Sequence, residues 1–307
     1  MMETKKIVVF YYTQSGQALD IAKSICKPLS DTNIIIYKEI VPEKAFRFPW
    51  NYDEFFDVFP ETRLGIPPFG IKEIDLSDVQ DADLVIIGGQ SWFLSPSLPI
   101  QSFLASAPVR EYLKGRNVVF VNGCRNMWVN TFFGIRKALG EIGARFVGHI
   151  VLQDRAHNLV GIVTIARWLL YGKKEATGIW PAAGVSDADI AGASRFGEVI
   201  GEVLQTDGFC SLQQKLMNAG AIDYVPKIVY VEKVGHRIFG IWAKFIRKKG
   251  EWGNPARTHR CTLFSYYLFF VLYVVSPIVL TIYHLLYPIR YHFMKKNRHE
   301  ICYNLGQ

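Results

Sequence analysis

The sequence predicts an α/β domain on a doubly wound, five-stranded parallel sheet, followed by a C-terminal membrane-associated helical tail. Three observations predict it. Between residue 5 and about residue 152, short β-rich runs alternate with helical patterns, which marks a parallel sheet with helices on both faces. Three of those runs, "IVVFYY", "LVIIGG" and "VVFVNG", are continuously apolar and end in small or polar residues, as strands buried on both faces do. Finally, residues 261–289 carry no formal charge and are flanked by basic residues on both sides.

The expected strands are Ile7–Tyr12, Asn33–Ile40, Leu84–Gly88, Val118–Asn122 and Phe146–Leu152. The expected helices are Gln17–Lys27, Leu98–Leu104 with Val109–Leu113 behind it, and Thr131–Ile142. Right-handed crossovers put every strand's C-terminal tip on one edge, where doubly wound sheets take their ligands. Residues 42–70, dense in proline and aromatics without a clear period, interrupt this pattern. They read either as a self-packed connection or as an aromatic lid over the sheet edge. Asn158–Gly172 is an apolar helix whose only charge is Arg167, suited to packing on the domain or to touching lipid. Ala188–Leu204 is an amphipathic helix expected to close the sheet. The division that follows is a main domain at 1–206, a basic amphipathic region at 207–260, a membrane segment at 261–289 and a basic tail at 290–307.

Charge sharpens this division. The net charge is +8, but residues 227–307 hold 13 Lys/Arg against 3 Asp/Glu, so the first 226 residues are slightly acidic. The basic excess belongs to the tail, which argues against nucleic acid as a partner of the main domain. Five widely spaced cysteines without a CxxC pair read as reduced thiols. The opening "MMETKKIVVFYY" has too short an apolar run for a secretory leader.

As a helix, 261–289 would extend roughly 43 Å, more than the ~30 Å hydrocarbon core. Tyr266, Tyr267, Tyr283 and Tyr287 suit the interfacial levels. Pro277 sits in mid-segment, and a kinked span and a shallow hairpin both fit. Upstream, in "GHRIFGIWAKFIRKKG", Ile238, Ile241, Trp242 and Phe245 recur at helical spacing among Arg237, Lys244, Arg247, Lys248 and Lys249. That helix suits the surface of an anionic leaflet, or else it docks on the main domain. The larger positive cluster lies upstream, which places the main domain on the cytoplasmic face of the cytoplasmic membrane.

Three loops meet at the ligand edge. After the first strand, Thr13-Gln14-Ser15-Gly16-Gln17 offers hydroxyls, a glycine turn and a helix N-terminus, which together suit one terminal phosphate. It lacks the lysine of a nucleotide-triphosphate loop and the glycine spacing of a dinucleotide fold. After the third strand, "GGQSWFLSPSLPIQSFL" places Trp92 and Phe93 where a flat ring stacks. After the fourth, "NGCRNMW" adds a glycine turn and a second tryptophan.

Together the three loops resemble those of flavodoxins over residues 5–152, with Ala18 standing where flavodoxins usually carry a phosphate-binding threonine. The resemblance implies strand order 2-1-3-4-5 and FMN as cofactor. It would be held by Thr13, Gln14, Ser15, Gly16, Gln17, Gln90, Ser91, Trp92, Phe93, Asn122, Gly123, Cys124 and Asn126. A narrower resemblance rests on "AFRFPWNYDEFFDVFPE", "WFLSPSLPI", "NGCRNMWV" and "VLQDRAHNL" in combination. These phrases are similar to bacterial proteins described as dialkylresorcinol condensing enzymes. For this chain that resemblance implies the aromatising step, in which a lipophilic dialkylcyclohexanedione loses two hydrogens to the flavin and becomes a resorcinol.

Such a reaction needs a base, a polariser for the developing enolate and a stacking surface. Arg125 is the candidate polariser, Asp154, Arg155 and His157 are candidates for base and polariser, and Trp92 would flank the flavin. Asp53 and Glu54 are weaker candidates. An Asp-Arg pair after a strand also serves as a surface ion pair, and a loop histidine is commonly solvated. A quinone or O2 would take the electrons. Two rival activities fit nearly as well, an NAD(P)H-dependent FMN quinone reductase and a flavodoxin-like electron carrier. A third reading is an interaction domain that keeps the fold without a cofactor. The histidines have no metal-binding spacing, so no metal is expected.

Overall fold

The first apolar run forms β1 (Lys6–Tyr11), with Ile7 through Phe10 wholly buried. The computed structural model describes residues 3–206, 208–285 and 297–306. β2 (Ile34–Glu39) pairs parallel with one side of β1, and β3 (Leu84–Trp92) with the other. β3 then pairs with β5 (Asn117–Cys124), which pairs with β6 (Arg145–Gln153), all in parallel. Between them, β4 (Ser95–Pro96) folds back antiparallel on the end of β3. The main path is therefore β2-β1-β3-β5-β6. Its numbering departs from the expected 2-1-3-4-5 because of the short extra strand. The order reverses between β1 and β3, and the flavodoxin-like arrangement places its ligand at that switch point.

β3 runs to Trp92, beyond the expected end at Gly88, because the hairpin with β4 keeps it extended. The two-residue turn of that hairpin puts Phe93 at φ 45° and Leu94 at φ 62°. Both lie in the left-handed region, which two-residue hairpins require and bulky residues rarely adopt.

Helices cover both faces. α1 (Gln17–Cys26) follows β1, and the proline-aromatic insert contains α2 (Tyr52–Asp57) and α3 (Phe59–Leu64). Asn51 caps α2 by accepting from the Asp53 and Glu54 amides. α4 (Leu98–Ala105), α5 (Ala107–Leu113) and α6 (Val129–Ile142) follow β4 and β5. α7 (Asn158–Tyr171) follows β6. The closing helix expected at 188–204 is two helices, α8 (Asp187–Ala191) and α9 (Ser194–Thr206), divided at Gly192 and Ala193. α9 lies so close to α1 that a Cβ on Gly197 would sit 1.9 Å from the Ile25 carbonyl oxygen, so only glycine fits there.

The C-terminal third adds α10 (Leu212–Asn218), α11 (Pro226–Arg247), α12 (Thr258–Phe270) and α13 (Ser276–Leu285), with a π-helical turn, Val271–Val275, joining the last two. Pro255–Tyr283 forms one 29-residue apolar helix, long enough by composition to cross a membrane, with 17% of its most apolar window buried. It continues through Pro277 and runs antiparallel to α11. Phe264 meets Phe239 at 5.3 Å, Tyr267 meets Trp242 at 5.0 Å and Tyr283 meets Tyr230 at 5.2 Å. α11 itself docks on the domain through Val229, Glu232, Phe239, Ala243 and Ile246, not through the Ile238–Phe245 stripe, of which Ile241 and Phe245 stay exposed.

The expected basic tail divides in two. Tyr287, Arg290, Lys295 and Lys296 lie outside the described residues. Residues 297–306 belong to the main domain. Ile301 and Cys302 are wholly buried in its core, and Gln213 donates to the Cys302 carbonyl at 2.7 Å.

Candidate functional site

A cavity of about 350 Å³ opens at the C-terminal tips of β1, β3 and β5, within the range of small-molecule sites. Four groups of residues enclose it. The three strand-tip loops contribute Gln14, Ser15, Gln17, Gln90, Ser91, Trp92, Phe93, Gly123, Cys124 and Arg125. The insert adds Phe48, Trp50, Phe55 and Val58, and α7 adds Ile162, Ile165, Trp168 and Leu169. α11 and the apolar helix add Val231, Gly235, Phe239, Leu268, Val271, Leu272 and Ser276.

At the first tip, Gly16 takes φ 89° and its carbonyl accepts from the Leu19 and Asp20 amides. Of the first-turn amides of α1, that of Leu19 is thereby taken, while those of Gln17 and Ala18 have no acceptor inside the helix, and among the described residues Thr13 Oγ1 is buried without a partner. A lone buried hydroxyl beside free amides suits an oxyanion. The glutamines serve the fold. Gln17 bonds both the amide and the carbonyl of Val185, at 3.1 Å and 2.9 Å. Gln14 donates to the Arg47 carbonyl at 3.1 Å and accepts from Trp50 Nε1 at 3.2 Å. Through Gln14 the insert is fastened over the loop, and the Trp50 amide also bonds the Leu169 carbonyl at 2.7 Å. Ala18 lines the cavity from the first turn.

At the second tip, Trp92 is edge-on to Tyr12, Phe46 and Trp50, with centroids 6.0, 5.1 and 5.4 Å away. Ser91 shares hydrogen bonds with buried Asn122 and with Thr131 Oγ1, the latter at 2.7 Å, which fixes the second tip to the third. At the third tip, Asn126 Nδ2 donates to Asn158 Oδ1 at 3.0 Å, while its own Oδ1 is buried without a partner among the described residues. Burial pushes the Cys124 thiol up, so it stays protonated.

Among the described residues, Arg125 is the one cationic side chain that lines the cavity. Its Nη1 donates to the Asn158 carbonyl at 2.9 Å and to Asn158 Oδ1 at 3.0 Å, and among the described residues it has no ion-pair partner. Burial lowers its pKa, and nearby Asp154 opposes that shift. A guanidinium held by neutral groups at an apolar cavity stabilises negative charge there.

The other catalytic candidates do not reach the cavity. Asp154 is buried and occupied, accepting from the Ala156 amide at 2.8 Å and the Gly184 amide at 3.2 Å. Arg155 is an exposed surface group paired with Asp189 at 3.1 Å. His157 is exposed and precedes α7 as its capping position. Asp53 and Glu54 are exposed in the first turn of α2. The chain turns after β6 to start α7, and contacts of that turn occupy Asp154 and Arg155.

Two buried titratable groups beside α6 escaped the sequence reading. Glu232 on α11 accepts from the Val129 amide at 3.1 Å and the Asn130 amide at 2.7 Å, capping α6 from outside, and burial raises its pKa to about 7. His149 is enclosed by Phe120, Phe132, Phe146 and Trp128, and burial lowers its pKa to about 3. Neither lines the cavity. The Val231, Gly235, Phe239 wall also escaped the sequence reading, although an i, i+4, i+8 spacing on α11 marks those residues as one face.

No protein-family model matches the sequence, and no curated protein matches it at a significant level. Solved structures similar to the chain include a flavoprotein in complex with FMN from Lactobacillus acidophilus, at 21% identity and a TM-score of 0.38, covering 48% of this chain and 93% of that one. A flavodoxin from the domain Archaea has 13% identity and a TM-score of 0.36, covering 65% and 98%. The azoreductase AzrA has 10% identity and a TM-score of 0.33, covering 65% and 99%. The strand order, not these scores, carries the assignment of the fold.

Proposed function

We propose that the chain is an FMN-dependent oxidoreductase of the cytoplasmic membrane, its main domain on the cytoplasmic side. Its reaction is the dehydrogenation of a lipophilic dialkylcyclohexanedione to a dialkylresorcinol. One observation carries this reading: Arg125, without an ion-pair partner among the described residues, at the edge of a mainly apolar cavity beside the switch point of the sheet.

The residues present fit FMN. Its phosphate suits the free amides of α1 and the unpartnered Thr13 hydroxyl. Its ring suits the space along Gln90, Trp92, Gly123 and Cys124, and the free Asn126 Oδ1 offers an acceptor nearby. When bound, FMN supplies a two-electron acceptor beside the substrate.

This chain's own residues do the rest. A cyclic β-diketone is itself a weak acid, so it enters as an enolate without a strong protein base. The lining, which includes no carboxylate or histidine among the described residues, suits that chemistry. Arg125 binds the enolate oxygen and orients the ring, while the aromatic insert and α7 exclude water. Within that enolate a proton moves from the far α carbon to the enolate as a hydride leaves the adjacent β carbon. This gives a neutral cyclohexenedione, a tautomer of the resorcinol, so that with the proton lost on entry two hydrogens balance the step. A carbon–carbon condensation would instead need a thiolate, and burial holds Cys124 in its neutral form.

Anaerobic titration tests the reading. The protein turns yellow with FMN, and a dialkylcyclohexanedione then bleaches it, after which a quinone or O2 restores the colour. Arg125→Gln keeps the yellow but slows bleaching about a hundredfold, as losing one charge-stabilising donor does. Bleaching by NADPH without a dione would move the reading to a quinone reductase. A protein that stays colourless with FMN would end it.

A further inference from the structure

The apolar helix is fixed at both ends, to the insert at its start and to α11 near its end. At its start, wholly buried Arg257 meets Glu61 at 2.7 Å. Near its end, Tyr283 is buried, with its ring 5.2 Å from Tyr230. Beyond it, residues 297–306 lie in the main domain, where Arg136 donates to the Asn304 carbonyl at 3.0 Å. A single crossing of a bilayer would leave those ten residues on the far side, out of reach of Arg136 and Gln213.

Leu263, Tyr266, Phe270, Val274, Ile278 and Ile282 are exposed at intervals of three or four, one continuous stripe along this helix. Beside it, antiparallel α11 exposes Tyr230, Val234, Ile241 and Phe245. The exposed cations Arg237 and Lys244 lie on α11, and Lys248 and Lys249 in the turn that leaves it. On the inner side, Leu268, Leu272 and Ser276 line the cavity.

We propose that this helix pair lies flat in one leaflet of an anionic bilayer and does not cross it, with the two outer stripes among the acyl chains. Charge selects the occupant: anionic headgroups complement the cationic positions, whereas a second copy of the chain would bring like charges together. The cavity then lies one helix away from hydrocarbon. This inference rests on the membrane part of the reading above and is independent of the flavin.

The test uses the full chain in phosphatidylcholine–phosphatidylglycerol vesicles. In a Cys210→Ser background, nitroxide labels at Tyr266→Cys, Phe270→Cys, Val274→Cys and Ile278→Cys report depth. The expected profile is flat and shallow, about 5–10 Å below the headgroups. A profile that passes through the bilayer centre along the series overturns the inference while leaving the membrane reading intact. A second measurement does not depend on the helix variants. A membrane-impermeant maleimide should reach Glu300→Cys from the same side as native Cys210, both exposed on the main domain. Labelling from opposite sides overturns the inference. Failure to float with vesicles of any composition, with or without self-association into dimers, overturns it together with the membrane reading.

Discussion

Gly16 takes a backbone conformation that L-residues avoid, at the position where the first loop turns into α1. A Cβ there would meet little, its nearest neighbour being Asp20 Oδ2 at 3.9 Å, so the cost of a side chain is conformational. Gly16→Ala is expected to weaken FMN binding about tenfold, read by flavin fluorescence titration, as a penalty of roughly 1–2 kcal/mol distorts the amides that receive the phosphate. Glu232 gives a pH-dependent expectation. Burial raises its pKa from the model-compound 4.5 to about 7, so the folded protein holds this proton more tightly than the unfolded chain. Its contribution is complete below pH about 4.5 and is lost as pH rises through about 7, so thermal stability should fall across that window. In Glu232→Gln, unfolding midpoints measured between those limits should change less with pH than in the parent. At this scale, Arg125 was legible because its place after an apolar strand put it at the ligand edge. Asp154, Arg155 and His157 stood at the same edge in sequence, but Asp154 and Arg155 are taken by hydrogen bonds formed on folding and His157 is exposed.

At the scale of elements, the insert and the apolar helix are clasped by one ionic cluster. Glu61 of α3 is wholly buried and accepts from Arg257 Nη1 at 2.8 Å, Arg257 Nη2 at 2.7 Å and Arg247 Nη1 at 2.8 Å. Asp57 Oδ1 lies 2.7 Å from Arg257 Nε, a close ion pair without hydrogen-bond alignment. Tyr52 adds a 2.7 Å hydrogen bond to Ser265. Removing one member leaves buried charge uncompensated, so Glu61→Ala is expected to cost about 3–5 kcal/mol in urea unfolding. Arg247→Ala, which removes the half-exposed partner and leaves Arg257 paired, should cost far less. The sequence announced an aromatic insert but not this clasp. The residues 42–70 showed no period because their helices are only six residues long and pack on aromatic rings from three directions. Glu61 and Arg257 are nearly two hundred positions apart, and nothing local marks one as the other's partner.

At the scale of the molecule, the doubly wound sheet was legible because its central strands are apolar without interruption, which only burial on both faces explains. The C-terminal ten residues were not. The stretch "NRHEICYNLG" is short and mixed in polarity, and it follows a basic run, so it reads as a solvated tail. Its role comes from a long-range closure. Ile301 and Cys302 enter the core beside α10, and Gln213 spans the contact by accepting from the His149 amide at 2.8 Å while donating to the Cys302 carbonyl. Deleting Ile301 methyl groups from a site with no exposed surface should cost about 2–4 kcal/mol, in the range for isoleucine-to-alanine changes in packed cores. Ile301→Ala should therefore lower the unfolding midpoint of the main domain itself, followed by the near-ultraviolet signal of its buried aromatics. The same change in a free tail would leave that midpoint where it was. Since the apolar helix lies between two parts of this one core, loosening residue 301 should also free the far end of that helix. Nitroxide mobility at Ile278→Cys is expected to rise in the Ile301→Ala background, while mobility near the Arg257 clasp stays unchanged.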